Sequence, residues 1–202
     1  MPAEATLLAL KEIRPGSRRL RGSLAVGAAF VVVLACSLVE ISAAPRAHAW
    51  NSLSCRYNTT SPTVRDSSTH GDATSDALVA WNQTATPVVF GYTSTNNPNA
   101  WITSSNYGNT GWDGLASYSC SGGMASGAKT LMYNTFFTAG YTRQARKQVM
   151  VHELGHALGL DHAGGGNPCV SRPIMAPSSD RYFVCGHHTP RADDVNGINA
   201  IY

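Results

Sequence analysis

One stretch of twelve residues, 151–162, limits what this chain can fold into more than any other part of the sequence. It reads VHELGHALGLDH, and the spacing H-E-x-x-H-x-x-G-x-x-H is set by His152, Glu153, His156, Gly159 and His162. Residues four apart on an α-helix lie on one face, about one turn apart, so the first two histidines can direct their rings at one point. Gly159 lacks a Cβ and can take the left-handed conformation that ends a helix. The chain then reverses, and His162 reaches the same point from outside the helix.

These residue types predict a catalytic zinc site. Neutral imidazole is a good zinc ligand, with Zn–N distances of about 2.0–2.1 Å. Three protein ligands leave a fourth coordination position for water, which distinguishes catalytic from structural zinc sites. Glu153 follows the first ligand and can reach that water as a general base. We therefore predict one catalytic Zn²⁺ held by His152, His156 and His162, while the sequence leaves open whether Ca²⁺ also binds.

A second signature, SRPIMAP at residues 171–177, lies just past the third histidine. Its methionine, Met175, would alone be read as a core residue in a proline-flanked turn. Together with residues 151–162, however, the segment resembles the metzincin metallopeptidases, and among them the matrixins, the type of the matrix-metalloprotease catalytic domain. The resemblance implies a Met-turn whose Met175 packs beneath the ligands without coordinating, since a thioether is a poor zinc ligand beside three imidazoles. Ala176 occupies a place that is often aromatic in vertebrate matrixins, and this departure fits a minimal, bacterial secreted member of the family.

Residues 189–202 predict a final helix, with Thr189 as its cap and Pro190 at the first helical position. The segment is similar to the last helix of the matrixins, including the paired acids and the closing tyrosine. In that family the second acid anchors the Met-turn backbone, which implies this role for Asp194. Acids in a first helical turn also suit the helix dipole, and the two explanations are compatible.

The resemblance also implies a polypeptide substrate bound extended along an edge strand by strand addition. Residues 115–120 are the candidate strand, and Leu115 and Tyr118 are the candidate contacts. Tyr182 and Phe183 are candidates for the wall of the pocket that takes the residue after the cut, although loop packing explains them equally well.

The pattern of apolar and turn residues predicts an α/β (α+β) domain, with a twisted mixed sheet over the active-site helix. We expect strands at 88–92, 100–104, 115–120 and 130–134. We expect helices at 76–83, capped by Thr74 or Ser75, and at 142–158. Residues 106–114 and 121–127 are predicted loops, and His70-Gly71-Asp72 is interpreted as a polar loop and not as a second metal site.

Four cysteines follow residue 50: Cys55, Cys120, Cys169 and Cys185. An even number in an exported chain indicates two disulfides, for which three connectivities exist. We favour Cys55–Cys120 with Cys169–Cys185, because the second pair closes a short loop. A four-cysteine zinc site is not expected, since no C-x-x-C pair occurs.

The N-terminal residues 1–49 are typical of a secretory signal. A basic cluster at 14–21 precedes the uncharged run 24–39 and an Ala-His-Ala triplet at 47–49, so we expect cleavage after Ala49. Two alternatives stay open: retention as a membrane anchor, although a span usually needs about 20 residues, and lipid attachment at Cys36. We therefore divide the chain into a signal peptide or anchor, 1–49, and a catalytic domain, 50–202.

The charge balance argues against a nucleic-acid partner. Six basic and three acidic side chains fall in residues 1–49, which leaves nine of each in residues 50–202 and no dense basic run. We expect a monomeric secreted zinc endopeptidase that meets a membrane only if the N-terminal segment is retained. The alternatives are a catalytically retired exported binding module and a zinc amidase acting on cell-wall peptides. The presence of Glu153 argues against the binding module, because a metal-stabilised domain needs the histidines but not the base.

Overall fold

The computed structural model describes residues 50–164 and 169–202. The predicted signal segment 1–49, with Cys36 and the expected cleavage site, lies outside these residues. Within the described ranges, no helix is both long enough and apolar enough to cross a membrane.

A mixed five-stranded sheet and two helices packed against it organise the domain. The strands are β1 Asn51–Ser52, β2 Thr63–Asp66, β3 Gly91–Tyr92, β4 Ala100–Ser105, β5 Gly114–Ser117, β6 Cys120–Ser121, β7 Met124–Ala125, β8 Lys129–Asn134 and β9 Leu160–Asp161. The helices are α1 Gly71–Asn82, α2 Thr135–Thr138, α3 Arg143–Leu158, α4 Asp180–Phe183 and α5 Ala192–Ile201. The expected fold class, an α/β domain with a mixed sheet over an active-site helix, is confirmed.

The sheet has the strand order β3-β2-β4-β8-β5. The pairs among β3, β2, β4 and β8 are parallel, and β5 runs antiparallel to β8 at the edge. Side chains alternate along β4 and β8, so that Ile102, Leu131 and Tyr133 enter the core. The edge position leaves one side of β5 without a strand neighbour among the described residues, facing the site described below.

Helices α1 and α3 bury their apolar faces in one continuous core with the sheet. Trp81 fastens the two helices together, because its buried indole Nε1 donates to the carbonyl of Val151 at 2.9 Å. That carbonyl belongs to the residue just before the first predicted zinc ligand, so the packing of α1 holds the functional part of α3 in place.

Several predicted element boundaries are wrong. Helix α1 begins at Gly71, not at residue 76, so Thr74 lies inside the helix and bonds the hydroxyl of Tyr133. His70-Gly71-Asp72 is the start of this helix and not a polar loop: His70 is buried, with its Nε2 3.0 Å from Thr138 Oγ1. A first helical turn with a polar sequence, preceded by a buried histidine, looks like a surface loop when only the sequence is read.

Two predicted strands are shorter than expected, each for a local reason. In 88–92 only Gly91–Tyr92 pairs, since the side chain of Asn82 satisfies both backbone groups of Phe90, at 2.8 and 2.9 Å. In 115–120 the edge strand ends at Ser117. Cys120 instead pairs with Ala125 in the β6–β7 hairpin, which occupies most of the predicted loop 121–127.

The final helix begins at Ala192, with Arg191 as its N-cap, and not at Thr189 and Pro190. The reason is Asp194, whose carboxylate accepts a hydrogen bond from the Arg191 backbone N–H at 2.7 Å. The side chain therefore caps the helix start itself, as acids in a first turn commonly do.

Both favoured disulfides, Cys55–Cys120 and Cys169–Cys185, form in the structure. The first joins the N-terminal segment to the β6–β7 hairpin. The second closes the chain around the turn that contains Met175.

Lys129 at the start of β8 is fully buried, 0% exposed. Its ammonium donates to the carbonyls of Cys55 at 2.7 Å and Ala157 at 2.6 Å, and it lies 4.7 Å from the ring centre of Tyr57. Burial lowers the pKa of this lysine to about 8. A cation is favourable near the C-terminal carbonyls of a helix, so Lys129 joins the sheet, the N-terminal segment and the end of α3.

We predict that Lys129→Met lowers the free energy of unfolding by about 2–4 kcal/mol, because two buried carbonyls lose their donor. Denaturant titration measures the change. The control is Lys147→Met on α3, a half-buried lysine, which we expect to change stability by about 0.5 kcal/mol or less. Equal unfolding midpoints for Lys129→Met and wild type would contradict this interpretation of the buried ammonium.

Candidate active site

Helix α3 places the first two histidines of the signature on one buried face. The Thr142 side chain accepts from Ala145 N at 3.2 Å and caps the helix start. Gly159 ends the helix in the left-handed conformation, with φ of 105°. The chain then reverses into β9, which delivers His162.

The three histidine rings meet at one point. The Nε2 atom of His152 lies 3.1 Å from that of His156 and 3.2 Å from that of His162, and the last two are also 3.2 Å apart. Nδ1 of His152 lies 2.8 Å from the carbonyl of Ile174, and Nδ1 of His156 lies 2.7 Å from the carbonyl of Leu160. Since a carbonyl only accepts, these Nδ1 atoms carry the protons, and the two Nε2 lone pairs face the common point.

This donor set fits a zinc ion. Tetrahedral zinc with Zn–N of about 2.0–2.1 Å needs ligand nitrogens about 3.3–3.4 Å apart, close to the observed 3.1–3.2 Å. Lone pairs that face each other at this distance repel unless a cation lies between them. Among the described residues, this triad is the cluster of histidine, cysteine and acidic side chains able to hold a metal ion.

Burial keeps these imidazoles neutral, as a metal ligand must be. It lowers the pKa of His156 to about 4 and holds the pKa of His152 well below its ordinary value. The pKa of the more exposed His162 is also lowered, again mainly by desolvation. The protonated forms that would compete with a metal are therefore disfavoured near neutral pH.

Glu153 lies beside the triad in a cleft of about 540 Å³ between β5 and residues 177–181. It is 4% exposed, and burial raises the pKa of its carboxyl to about 8, while the guanidinium of Arg181 opposes the shift. Gly114, at the start of β5, makes room for it: a Cβ there would lie 2.5 Å from Glu153 Oε1. The edge strand can therefore pass directly over the carboxylate.

The turn that contains Met175 packs against the underside of α3. The carboxylate of Asp194 accepts from the backbone N–H of Ile174 at 2.9 Å and of Met175 at 3.2 Å. The Met175 sulfur packs against the backbone of Gly155, where any Cβ would collide with it. Asp194 therefore holds the backbone of this turn, and Met175 fills the space that Gly155 leaves on α3.

Two charged residues of the site were not predicted from the sequence. Arg181 is 2% exposed and lines the cleft; it donates to the carbonyl of Ala176 at 2.7 Å and to the side-chain amide oxygen of Gln148. Asp113 also lines the cleft and accepts from the hydroxyl of Ser179. No sequence signal distinguishes them, since an arginine or aspartate in a polar loop is normally exposed.

The candidate substrate contacts divide into two groups. Leu115 and Tyr118 line the cleft, and Leu115 on the edge strand is 39% exposed. Tyr182 and Phe183 do not line it: the Tyr182 hydroxyl lies 3.1 Å from Thr142 Oγ1, and the Phe183 ring packs on Tyr141 at 5.1 Å. Since Tyr141 lines the cleft, Phe183 lies behind its wall.

The fold and site together define a metzincin-type zincin domain. A comparison with models of protein families matches residues 48–202 to Matrixin, and the chain belongs to this family. Over 101 residues the chain is also 31% identical to Serralysin C of Dickeya chrysanthemi, an alignment that covers 40% of this chain. It covers only 21% of the length of Serralysin C.

We predict that Gly155→Ala destabilises the domain by about 1–3 kcal/mol, even though alanine is the better helix former, because the new methyl group must displace the Met175 sulfur. Thermal or denaturant unfolding of the metal-free protein measures the effect. The matched control is Gly140→Ala, where a Cβ meets nothing within 4 Å. A stabilised Gly155→Ala variant would show that the Met175 contact is not tight.

Proposed function

We propose that this protein is a secreted zinc endopeptidase. The observation that carries the proposal is the convergence of three imidazole nitrogens within 3.1–3.2 Å of each other, beside a buried carboxylate in an open cleft. A structural site would surround the metal with protein ligands. Here the cleft leaves the fourth side of the triad accessible, as a catalytic zinc site requires.

In this proposal His152, His156 and His162 hold the zinc. Bound there, zinc would polarise the scissile carbonyl and lower the pKa of a water molecule to about 7. The carbonyls of Ile174 and Leu160 keep the rings of the two helix ligands oriented, as outer partners of metal-binding histidines generally do.

Glu153 acts as the general base. Its carboxylate accepts a proton from the attacking water and then delivers that proton to the nitrogen of the leaving amine. Burial raises the pKa of this carboxyl and so makes its carboxylate a stronger base. A zinc ion held by the three histidines would favour the ionised form that accepts the proton.

The substrate would lie extended along the free edge of β5, where backbone groups of 114–117 can pair with it. Leu115 and Tyr118 then contact substrate side chains. Met175 supports the ligands by packing against Gly155, and Asp194 fixes the backbone of the Met-turn. In this proposal the protein acts as a monomer and cleaves peptide bonds within a polypeptide.

We predict that Glu153→Ala still binds about one zinc per chain and melts near the wild-type temperature. Its turnover should fall by at least roughly 10²–10⁴-fold, the usual effect of losing a general base. His156→Ala should instead lose zinc affinity, stability and activity together, because metal binding is coupled to folding.

Metal analysis and a peptidase assay on the same preparations separate these outcomes. The control is the His187→Ala/His188→Ala double variant, since neither residue belongs to the metal cluster found in the described residues. Activity in Glu153→Ala would refute the mechanism. Zinc loss in the control but not in His162→Ala would refute the ligand assignment.

Export through a cleaved signal at residues 1–49 is part of the same proposal. The order of basic, apolar and Ala-x-Ala segments supports it, and so do the two disulfides, which persist in oxidising compartments.

We predict that protein collected from the medium has the intact mass of a chain that starts at Trp50. Mass spectrometry of the secreted fraction measures this directly. A lipid-modified Cys36, or protein found only in the membrane fraction, would show that the protein is anchored and not released, and would contradict this prediction.

A further inference from the structure

The third histidine of the triad differs from the other two in how it is held. His152 and His156 lie on α3, whereas His162 follows the two-residue strand β9 and is itself exposed. Its position depends on the backbone of 159–162. What fixes this backbone therefore decides how well the three nitrogens are arranged before metal binds.

The N-terminal segment supplies this support. Strand β1 pairs antiparallel with β9, with Asn51 opposite Asp161 and Ser52 opposite Leu160. The backbone N–H of Leu53 donates to the carbonyl of Gly159 at 2.8 Å. The side-chain amide of Asn51 donates to the carbonyl of His162 itself at 2.9 Å. Hydrogen bonds from 51–53 thus flank the ligand segment on both sides.

The segment is anchored at both of its ends. Trp50 packs on the core, and its ring lies so close to α5 that a Cβ on Gly197 would come within 3.0 Å of it. At the other end, Cys55 is held by its disulfide to Cys120 and by the Lys129 ammonium on its carbonyl. A short strand anchored twice is a rigid support for β9.

We propose that residues 50–53 form a positioning strap for the zinc site, with Asn51 as the positioning residue for His162. The proposal rests on the function proposed above, because it requires that the triad binds zinc. Loss of the strap leaves His152 and His156 in place but frees the third ligand, so zinc affinity falls while the helix ligands stay organised. The expected cleavage after Ala49 would leave this strap intact, with Trp50 as its first residue.

Chelator competition with zinc, on the purified secreted protein, tests the strap. Asn51→Ala should weaken zinc binding about 3- to 10-fold, the effect of one neutral hydrogen bond. Asn51→Ala/Leu53→Pro, which also removes the amide that bonds Gly159, should weaken it about 10- to 100-fold, as loss of outer partners of metal ligands does. Asn51→Gln retains an amide donor and should recover most of the affinity.

The matched control is Asn199→Ala. Its side-chain amide also donates to an exposed backbone carbonyl far away in sequence, that of Ala85, at 3.1 Å. Both residues are remote in sequence from the zinc ligands. Asn199→Ala should leave zinc affinity within about twofold of wild type. If Asn51 had only a structural role, Asn51→Ala would lower the melting temperature of the metal-free protein, as Asn199→Ala would. The two variants would then bind zinc with equal affinity.

Unchanged zinc affinity in a folded Asn51→Ala/Leu53→Pro variant overturns the strap, and if that variant does not fold, unchanged affinity in Asn51→Ala overturns it. Wild-type protein that binds no zinc would instead overturn the proposed function. The two failures are therefore distinguishable in one experiment.

Discussion

Three imidazole nitrogens held within 3.1–3.2 Å of one another are the constraint on which the rest of this structure depends. Neutral rings that face each other in this way gain nothing from the contact without a cation. Other contacts in the fold must therefore hold the rings together, and zinc binding would stabilise the folded protein. The features around the triad follow from this requirement: a buried helix for two rings, a left-handed glycine that turns the chain, and a short strand for the third.

The segments that meet at the site are joined by buried charged groups that bond to backbone dipoles. Asp194 accepts from three backbone N–H groups and fixes both the Met-turn and the start of α5. Lys129 donates to carbonyls of the N-terminal segment and of α3, and Arg181 donates to a carbonyl just after Met175. An ionised group bonded to several backbone groups holds them more strongly than neutral pairs would. Lys129 and Arg181 therefore each join a neighbouring segment to α3, and Asp194 joins the Met175 turn to α5.

The apolar pattern of 142–158 predicted α3 within one residue at its start. The signature at 151–162 predicted the reversal at Gly159 and the meeting of the three rings, since helical periodicity and glycine conformation act locally. The mixed sheet was also predictable, as were both disulfides. The start of α1 at Gly71 and the burial of His70 were not, because His70 becomes buried only when Thr138 of α2 packs beside it. Arg181 and Asp113 were missed for a similar reason: the placement of a charged side chain against a cleft is a tertiary event without a periodic signal. The pairing of β1 with β9 joins segments about 110 residues apart and has no signature in either.

Zinc K-edge X-ray absorption of the purified protein would identify the ligands of the metal. Zinc held by the three histidines should give a four-coordinate shell at about 2.0–2.1 Å, with the multiple scattering of three imidazoles and one further light ligand. A sulfur neighbour at about 2.3 Å, or a six-coordinate shell with fewer imidazoles, would contradict it.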